Sequence, residues 1–223
     1  MIVGETVRAA ARRCGVHKNT SFRWRHRFLT RLSEAKPSHL HGIVEADETY
    51  FLESFKGRRD LPRPARKRGG KAAKRGLSEE QIPVLIARNR TPATTDAVLP
   101  SANTQAVRAV LEPILDPDVV LCSDGSAIYT ALAKQLHLAH QPVNLSAGIR
   151  VVDGAYPIQN VNAYDSRLKG WMVRFQGVAT KYLPNYLGWR RFLERFRSSL
   201  TPNLFLGQAI GVLPGIDQHL TQT

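Results

Sequence analysis

Cysteine is scarce in this sequence, which contains only Cys14 and Cys122. Neither belongs to a C-x-x-C pair, so the sequence encodes no zinc ribbon and no disulfide framework. Long apolar runs are also missing, because no stretch approaches the roughly 20 residues that a membrane-spanning helix needs. Residues 1–5 have neither the basic nor the apolar segment of a signal peptide. We therefore expect a cytoplasmic protein with no membrane partner and with both thiols reduced.

Acidic residues are also few, and this scarcity gives the chain its most pronounced bulk property. The 18 Asp and Glu residues face 32 Lys and Arg residues, which leaves a net charge of +14 and a pI near 10.4. Such an excess is typical of proteins that bind polyanions. A solvated basic surface, or RNA binding of the ribosomal type without catalysis, would give the same bulk charge. Composition alone therefore favours nucleic-acid binding and indicates nothing about chemistry.

Residues 56–75 hold much of the positive charge. They contain ten Lys and Arg residues, several Gly and Pro residues and a single acid, Asp60. This composition predicts a mobile basic loop rather than a helix or strand. A solvated linker without a partner is the alternative, but the density of charge favours phosphates nearby. From this loop we take as candidate DNA contacts Arg66, Lys67, Arg68 and Lys71.

The N-terminal segment, residues 1–34, has the outline of a helix-turn-helix. A first helix ends near Gly15, and a second helix beginning near Lys18 interleaves aromatic with Arg residues. An ordinary helical hairpin with a basic outer face is the alternative. Position along the second helix suggests as DNA contacts Lys18, Asn19, Ser21 and Arg25. Residues 35–41 lack periodicity and read as a linker.

Residues 42–197 alternate between strand and helix patterns, which predicts an α/β domain. Apolar runs predict strands at 43–51, 82–87, 94–99 and 119–124, and a weak strand near 141–145. Helical spacing of apolar residues predicts helices at 103–115, 126–135, 159–175 and 182–196. Residues 198–223 are poorly patterned and stay unassigned.

Two acids occur where strands would deliver side chains to a site. Asp47 lies inside an apolar strand, and Asp124 ends another strand just before Gly125. A buried carboxylate is costly unless it is paired or binds metal. Two carboxylates converging from neighbouring strands repel each other, and a divalent ion such as Mg²⁺ removes that cost. For Asp124, a simple turn or helix cap is an equally natural interpretation.

A third polar set lies in the predicted helix 159–175. Asn162, Asp165, Ser166 and Lys169 are spaced i, i+3, i+4 and i+7, so they share one helix face. An oxygen from the first turn could complete a metal site, and Lys169 could bind a phosphate. A solvated polar face is the alternative.

Taken together, these stretches resemble the ISXO-type insertion-sequence transposases of bacteria. The resemblance extends over roughly residues 6–195. It is carried by residues 44–50 (VEADETY), 123–125 (SDG) with Tyr129, 160–169 (NVNAYDSRLK), 177–183 (GVATKYL), 185–187 (NYL) and 189–191 (WRR).

The resemblance implies an RNase-H-like fold, a mixed sheet flanked by helices, behind a helix-turn-helix. It implies a catalytic set of Asp47, Asp124, Asn162 and Lys169, the first three being ligands of Mg²⁺ or Mn²⁺. Asp165 is the second choice for the third ligand. Two-ion phosphoryl transfer would then cut and join double-stranded DNA at element ends and target. A homo-oligomer on DNA and a location in the bacterial nucleoid are implied as well.

The sequence departs from the family pattern in three places. The usual cysteine-containing zinc ribbon has no counterpart, Pro157 and Asp165 stand where histidines are expected, and the tail after residue 197 does not match. From these departures we expect a truncated or decaying copy of the element. Two other functions remain open at this point, a non-catalytic DNA-binding regulator and an RNase-H-like nuclease that cuts without joining.

Overall fold

The computed structural model describes residues 1–67, 69–74, 78–91, 93–143, 151–152 and 156–212. Its helices are α1 (Val7–Arg13), α2 (Lys18–Glu34), α3 (Thr104–Leu111), α4 (Ala127–Leu136), α5 (Gln159–Val173), α6 (Leu183–Arg195) and α7 (Pro202–Ile210). Its strands are β1 (Ile43–Leu52), β2 (Gln81–Asn89), β3 (Thr94–Val98), β4 (Val120–Ser123), β5 (Ala139–Pro142), β6 (Val151–Val152) and β7 (Tyr156–Pro157). In the part of the chain so described, no helix combines the length and the apolar character that crossing a membrane requires.

Five strands form one mixed sheet in the order β3-β2-β1-β4-β5. β2 runs antiparallel to both of its neighbours, β1 and β3, whereas β4 pairs in parallel with β1 and β5 pairs in parallel with β4. A three-stranded meander followed by parallel strands behind helical crossovers is the RNase-H-like arrangement, so the predicted fold class is confirmed. The weak strand expected near residues 141–145 begins two residues earlier, as β5, and residues 144 and 145 lie outside the described residues.

Helices cover both faces of the sheet because strand residues alternate in direction. Val44 and Ala46 point to one face, where the apolar sides of α3 and α4 pack around Leu111 and Leu132. The other face is covered by α5 and α6 through a cluster of ten buried residues: Val84, Ile86, Cys122, Val143, Ile158, Val161, Tyr164, Leu168, Leu183 and Leu187. The sheet is thus the middle of three layers, and β1 is its central strand.

The N-terminal hairpin shares a hydrophobic core with the rest of the chain. Leu29 and Leu32 of α2 pack in one buried cluster with Trp189 of α6 and Phe205 of α7. At Gly188, α6 lies in close contact with the backbone of α2, since a Cβ there would lie 2.4 Å from the carbonyl oxygen of Leu32. The unassigned tail therefore begins with a helix, α7, whose stability comes from packing against α2.

The segment predicted as a linker is also part of this packing. Leu40 is fully buried, and its N–H and C=O bond to Ile114 and Asp116 across from it. Arg191 of α6 donates to the carbonyls of Leu32, Ser33 and Ala35, the last turn of α2. Residues 1–41 are thereby held against residues 42–197 by apolar and polar contacts alike.

Candidate active site

The structure brings Asp47 and Asp124 together at the parallel edge between β1 and β4. The strands pair with Glu45 opposite Cys122, and two further residues along each chain place Asp47 beside Asp124. Asp124 follows the last residue of β4, where Gly125 turns the chain at φ +81° into α4. The expectation that two neighbouring strands deliver these carboxylates to one place is thus met by the strand register.

Asp124 also makes the local contact that the simpler interpretation foresaw. Its Oδ1 accepts a hydrogen bond of 3.0 Å from the backbone N–H of Ser126, at the start of α4. One oxygen shapes the turn while the side chain stays exposed. The turn or cap interpretation of Asp124 is thus observed, and the carboxylate keeps lone pairs that a ligand could use.

The surroundings of Asp47 disfavour the ionised form of its carboxyl group. Burial first, and then the negative charge of Asp124, raise the pKa of Asp47 from 3.8 to about 7, and Glu48 and Asp165 add to the rise. A hydrogen bond of 2.8 Å from the N–H of Glu48 to Oδ1 opposes it only in part. A nearby cation would relieve this repulsion.

Helix α5 brings Asp165 within electrostatic range of Asp47. The charge of Asp165 is felt at Asp47, and Asp165 Oδ1 is buried without a hydrogen-bond partner. Lys169 donates to the other oxygen, Oδ2, over 2.8 Å. Asn162 is half-buried one turn before Asp165. The spacing argument therefore placed these residues correctly on one face of a helix.

Glu45 is a residue of this region that sequence reasoning missed. It is 1% exposed, and its Oε2 accepts hydrogen bonds of 2.8 and 2.9 Å from the N–H groups of Asn160 and Val161. These are first-turn donors of α5, whose own N-cap residue, Ile158, offers no side-chain bond. Glu45 therefore caps α5 from the sheet and locks its first turn to β1, which carries Asp47. The signal available in the sequence was its position two residues before Asp47, on the same face of the strand.

The donors at this site suit a hard, oxygen-preferring cation. Within the described ranges, no group of three or more His, Cys, Asp and Glu side chains is arranged to hold a metal ion by itself. Carboxylates that repel one another do not approach to metal-binding distances without a cation between them. Among the described residues, the buried Oδ1 of Asp165, whose charge acts on Asp47, nevertheless has no hydrogen-bond partner. An unsatisfied carboxylate oxygen beside a carboxyl of raised pKa fits Mg²⁺ or Mn²⁺ by donor chemistry.

Two of the four contacts expected from the helix-turn-helix do not face outward. Ser21 and Arg25 are 7% and 3% exposed. Ser21 donates to the carbonyl of Val7, and Arg25 donates to the carbonyl of Glu5 while its guanidinium lies 5.2 Å from the Trp189 ring centroid. Their assignment to DNA is therefore corrected, because both side chains hold the hairpin together. Lys18 and Asn19 are exposed.

Of the DNA contacts predicted in the basic loop, one is bonded to the rest of the protein and two are exposed. Arg66 is tied to the protein, since it donates to the carbonyl of Glu53 over 2.6 Å and pairs with Glu80 over 2.5 Å. Lys67 and Lys71 are exposed. Arg68, the fourth predicted contact, lies outside the described residues.

A curated protein of Halobacterium salinarum, described as an uncharacterized protein in transposable element ISH50, is 28% identical over 174 residues. The match covers 77% of this chain but only 58% of that relative, so the chain spans little more than half the relative's length.

Two solved structures have weak overall likeness. A chain of the simian T-cell lymphotropic virus intasome in complex with PP2A regulatory subunit B56 gamma has a TM-score of 0.41 at 9% identity, over 75% of this chain and 52% of that one. A chain of the Mos1 strand transfer complex has a TM-score of 0.33 at 14% identity, over 85% and 58%. Neither score reaches 0.5, so the fold assignment depends on the strand order described above.

The match that decides the family spans the whole sheet and its helices. Residues 39–193 match the ISXO2-like transposase domain. This range begins just before β1 and ends within α6, and so includes Asp47, Asp124 and the polar face of α5. The chain belongs to the family of ISXO2-like transposases.

Proposed function

We propose that this protein is a DNA transposase that cuts and joins strands by metal-dependent phosphoryl transfer. The observation that carries the proposal is the partly buried Asp47 carboxyl beside Asp124, where β1 and β4 run parallel in a transposase-family domain. An isolated structural role would leave this repulsion without compensation. A catalytic role accounts for it, because an active site is where destabilised charge clusters are retained.

The residues have separate roles in this proposal. Asp47 and Asp124 would hold Mg²⁺ or Mn²⁺, with Asn162 as third ligand, which its half-buried place on the first turn of α5 allows. When bound, the ion would polarise the scissile phosphate and favour deprotonation of the attacking oxygen. Asp165 orients Lys169 through their 2.8 Å ion pair, and Lys169 offsets charge on the phosphate. Glu45 holds α5 in place.

The same groups serve both chemical steps. In cleavage, water adds to a phosphorus atom and the P–O3′ bond breaks, which leaves a 3′-OH and a 5′-phosphate. In joining, that 3′-OH adds to a target phosphorus and displaces the target's own 3′ oxygen, so one phosphodiester forms for each one broken. Lys169 is suited to stabilising the charge that builds on the non-bridging oxygens.

The partner in this proposal is double-stranded DNA. The N-terminal residues 1–34 are proposed as its helix-turn-helix reader, through the exposed Lys18 and Asn19, and residues 42–197 as the catalytic domain. Lys67, Lys71 and Arg68 of the basic loop would contact phosphates, with Arg66 bracing the loop against Glu80. A homo-oligomer that pairs two DNA ends and a nucleoid location remain part of the proposal.

The first test is nicking of supercoiled plasmid with Mn²⁺ or Mg²⁺. Asp47→Asn and Asp124→Asn are each expected to reduce metal-dependent nicking by at least roughly a thousandfold. Asp118→Asn is the matched control, because Asp118 is exposed just before β4 while Asp124 follows its end. Plasmid that is bound but never cut, with all three aspartates intact, would instead identify a non-catalytic DNA-binding regulator.

A second arm separates a transposase from a nuclease. A labelled duplex with a free 3′-OH end is incubated with unlabelled plasmid and metal, and transfer of label to the plasmid is measured. Transfer that depends on Asp47 supports the proposal. Nicking without any transfer, over a range of duplex ends that includes those flanking the gene, would favour the RNase-H-like nuclease.

A further inference from the structure

A cleft lies between the N-terminal hairpin and the catalytic domain, away from Asp47. It encloses about 720 Å³. The start of α2 forms one wall with Lys18 and Asn19, and residues 174–179, after α5, form the opposite wall. Lys56 and Gly57, where the basic loop begins, lie at its edge.

Among the described residues that line this cleft, five carry a positive charge and none is Asp or Glu. The five are Arg8, Lys18, Arg25, Lys56 and Arg174. Three of them are bonded, but only to backbone carbonyls among the described residues. Lys56 donates to the carbonyls of residues 175, 176 and 177 at 3.0, 3.1 and 2.7 Å. Arg25 donates to a carbonyl of residue 5, and Arg174 to those of residues 3 and 171. These carbonyl contacts leave the positive charges uncancelled, and Nε and Nη1 of Arg25 have no hydrogen-bond partner among the described residues.

The remaining two cations are available to a ligand. Arg8 and Lys18 are exposed, and within the described part of the chain neither has an ion pair or a side-chain hydrogen bond. Burial, and then the positive charge of Arg8, lower the pKa of Lys56. Cations held together in this way favour an anion, and the N-terminal end of α2 adds partial positive charge to the same wall.

We propose that this cleft binds phosphate groups of a DNA strand, which it seats between the hairpin and the catalytic domain. The inference rests on the proposed function, because it takes DNA as the ligand. Phosphate chemistry is common to DNA and to free anions, but the setting favours a strand. The cleft is continuous with the basic loop at Lys56 and with the candidate reader residues Lys18 and Asn19, and the rings of Phe22 and Tyr182 give it an apolar wall suited to sugars.

The test compares Arg8→Ala, Lys18→Ala and the double variant of the full chain. Binding to a fluorescent duplex of about 30 base pairs is measured by anisotropy over a salt series. Each single variant is expected to reduce the slope of log K against log salt by about 0.9 and to lose roughly tenfold in affinity near 0.1 M salt. Lys134→Ala, on the exposed surface of α4 outside the cleft, is the matched control and is expected to bind normally. Melting curves check that every variant is folded.

The outcomes distinguish this inference from the catalytic proposal. Unchanged slopes in both single variants overturn the cleft as a DNA site. A loss of thermal stabilisation by inorganic phosphate in the variants, with DNA binding intact, also overturns it and identifies a site for free anions. Reduced slopes in a protein that never nicks DNA support the cleft while the catalytic proposal fails. A wild-type chain that binds no duplex overturns both.

Discussion

Replacing Asp47 with Asn should make the metal-free protein more stable although it removes activity. The reason is the charge that Asp47 carries in a partly buried position beside Asp124. The pKa of Asp47 is about 7 in the folded protein against 3.8 as the ordinary value. The folded state therefore binds the proton more tightly than the unfolded state, and stability falls as the pH rises from about 4 through about 7.

The size of the effect follows from this difference. At about pH 8 the ionised carboxylate costs at most about 4 kcal/mol, and at about pH 5 under about 2 kcal/mol. Asn keeps the shape of the side chain, and its amide oxygen can still accept the 2.8 Å hydrogen bond from the N–H of Glu48. For a protein of this length, 4 kcal/mol corresponds to a rise in Tm of roughly 8–16 °C.

Differential scanning calorimetry in EDTA measures this directly. We expect Asp47→Asn to melt higher than wild type at about pH 8, with the difference shrinking towards about pH 5. Added Mn²⁺ should raise the Tm of wild type and leave that of the variant nearly unchanged. The exposed Asp118→Asn control should match wild type throughout. A variant that melts at or below the wild-type temperature at about pH 8 would refute the buried-charge argument.

Three further predictions follow from single contacts. Glu45→Ala should lower the free energy of unfolding by about 2 kcal/mol in urea titrations, because two first-turn N–H groups of α5 lose their acceptor. Glu45→Gln keeps a side-chain oxygen and should therefore lose less stability. Equal losses in the two variants would argue against a capping role for Glu45. Gly188→Ala should cost roughly 3 kcal/mol, since its Cβ would meet the backbone of Leu32 at 2.4 Å; an unchanged urea midpoint would contradict the close helix crossing. In nicking assays, Asn162→Ala should lose about a hundredfold and Asp165→Asn, which removes a negative charge and the ion pair to Lys169 but keeps a side-chain oxygen, about tenfold; the reverse order would make Asp165 the third ligand.

Local signals were enough for most of the elements and for the position of the two aspartates. β1 and β4 were predicted because apolar β-branched runs have few alternatives to a buried strand. The break between α1 and α2 was predicted from Gly15, which adopts φ +62°. Asn103 was recognised as a cap and accepts from the N–H of Ala106. These features depend on neighbours within a few residues, so they can be predicted from the local sequence.

Other features had no local signal. α7 was missed because its stability comes from Phe205 and Ala209 packing in the α2–α6 cluster, and nothing in residues 202–210 shows that partner. Arg25 was taken for a DNA contact because a basic residue on an amphipathic helix usually faces water. The tertiary fold instead places its guanidinium over the ring of Trp189, which is 164 positions later in the chain.

The sequence by itself determined the α/β class, the strand-borne carboxylates and the shared helix face of Asn162, Asp165 and Lys169. It did so because side-chain periodicity and backbone preferences act over a few residues. Only the tertiary structure decided that Asp47 meets Asp124, that Glu45 caps α5 and that a cationic cleft separates the hairpin from the sheet. Each of these depends on distances between residues far apart in the chain, and burial and charge take their values only once those distances are set.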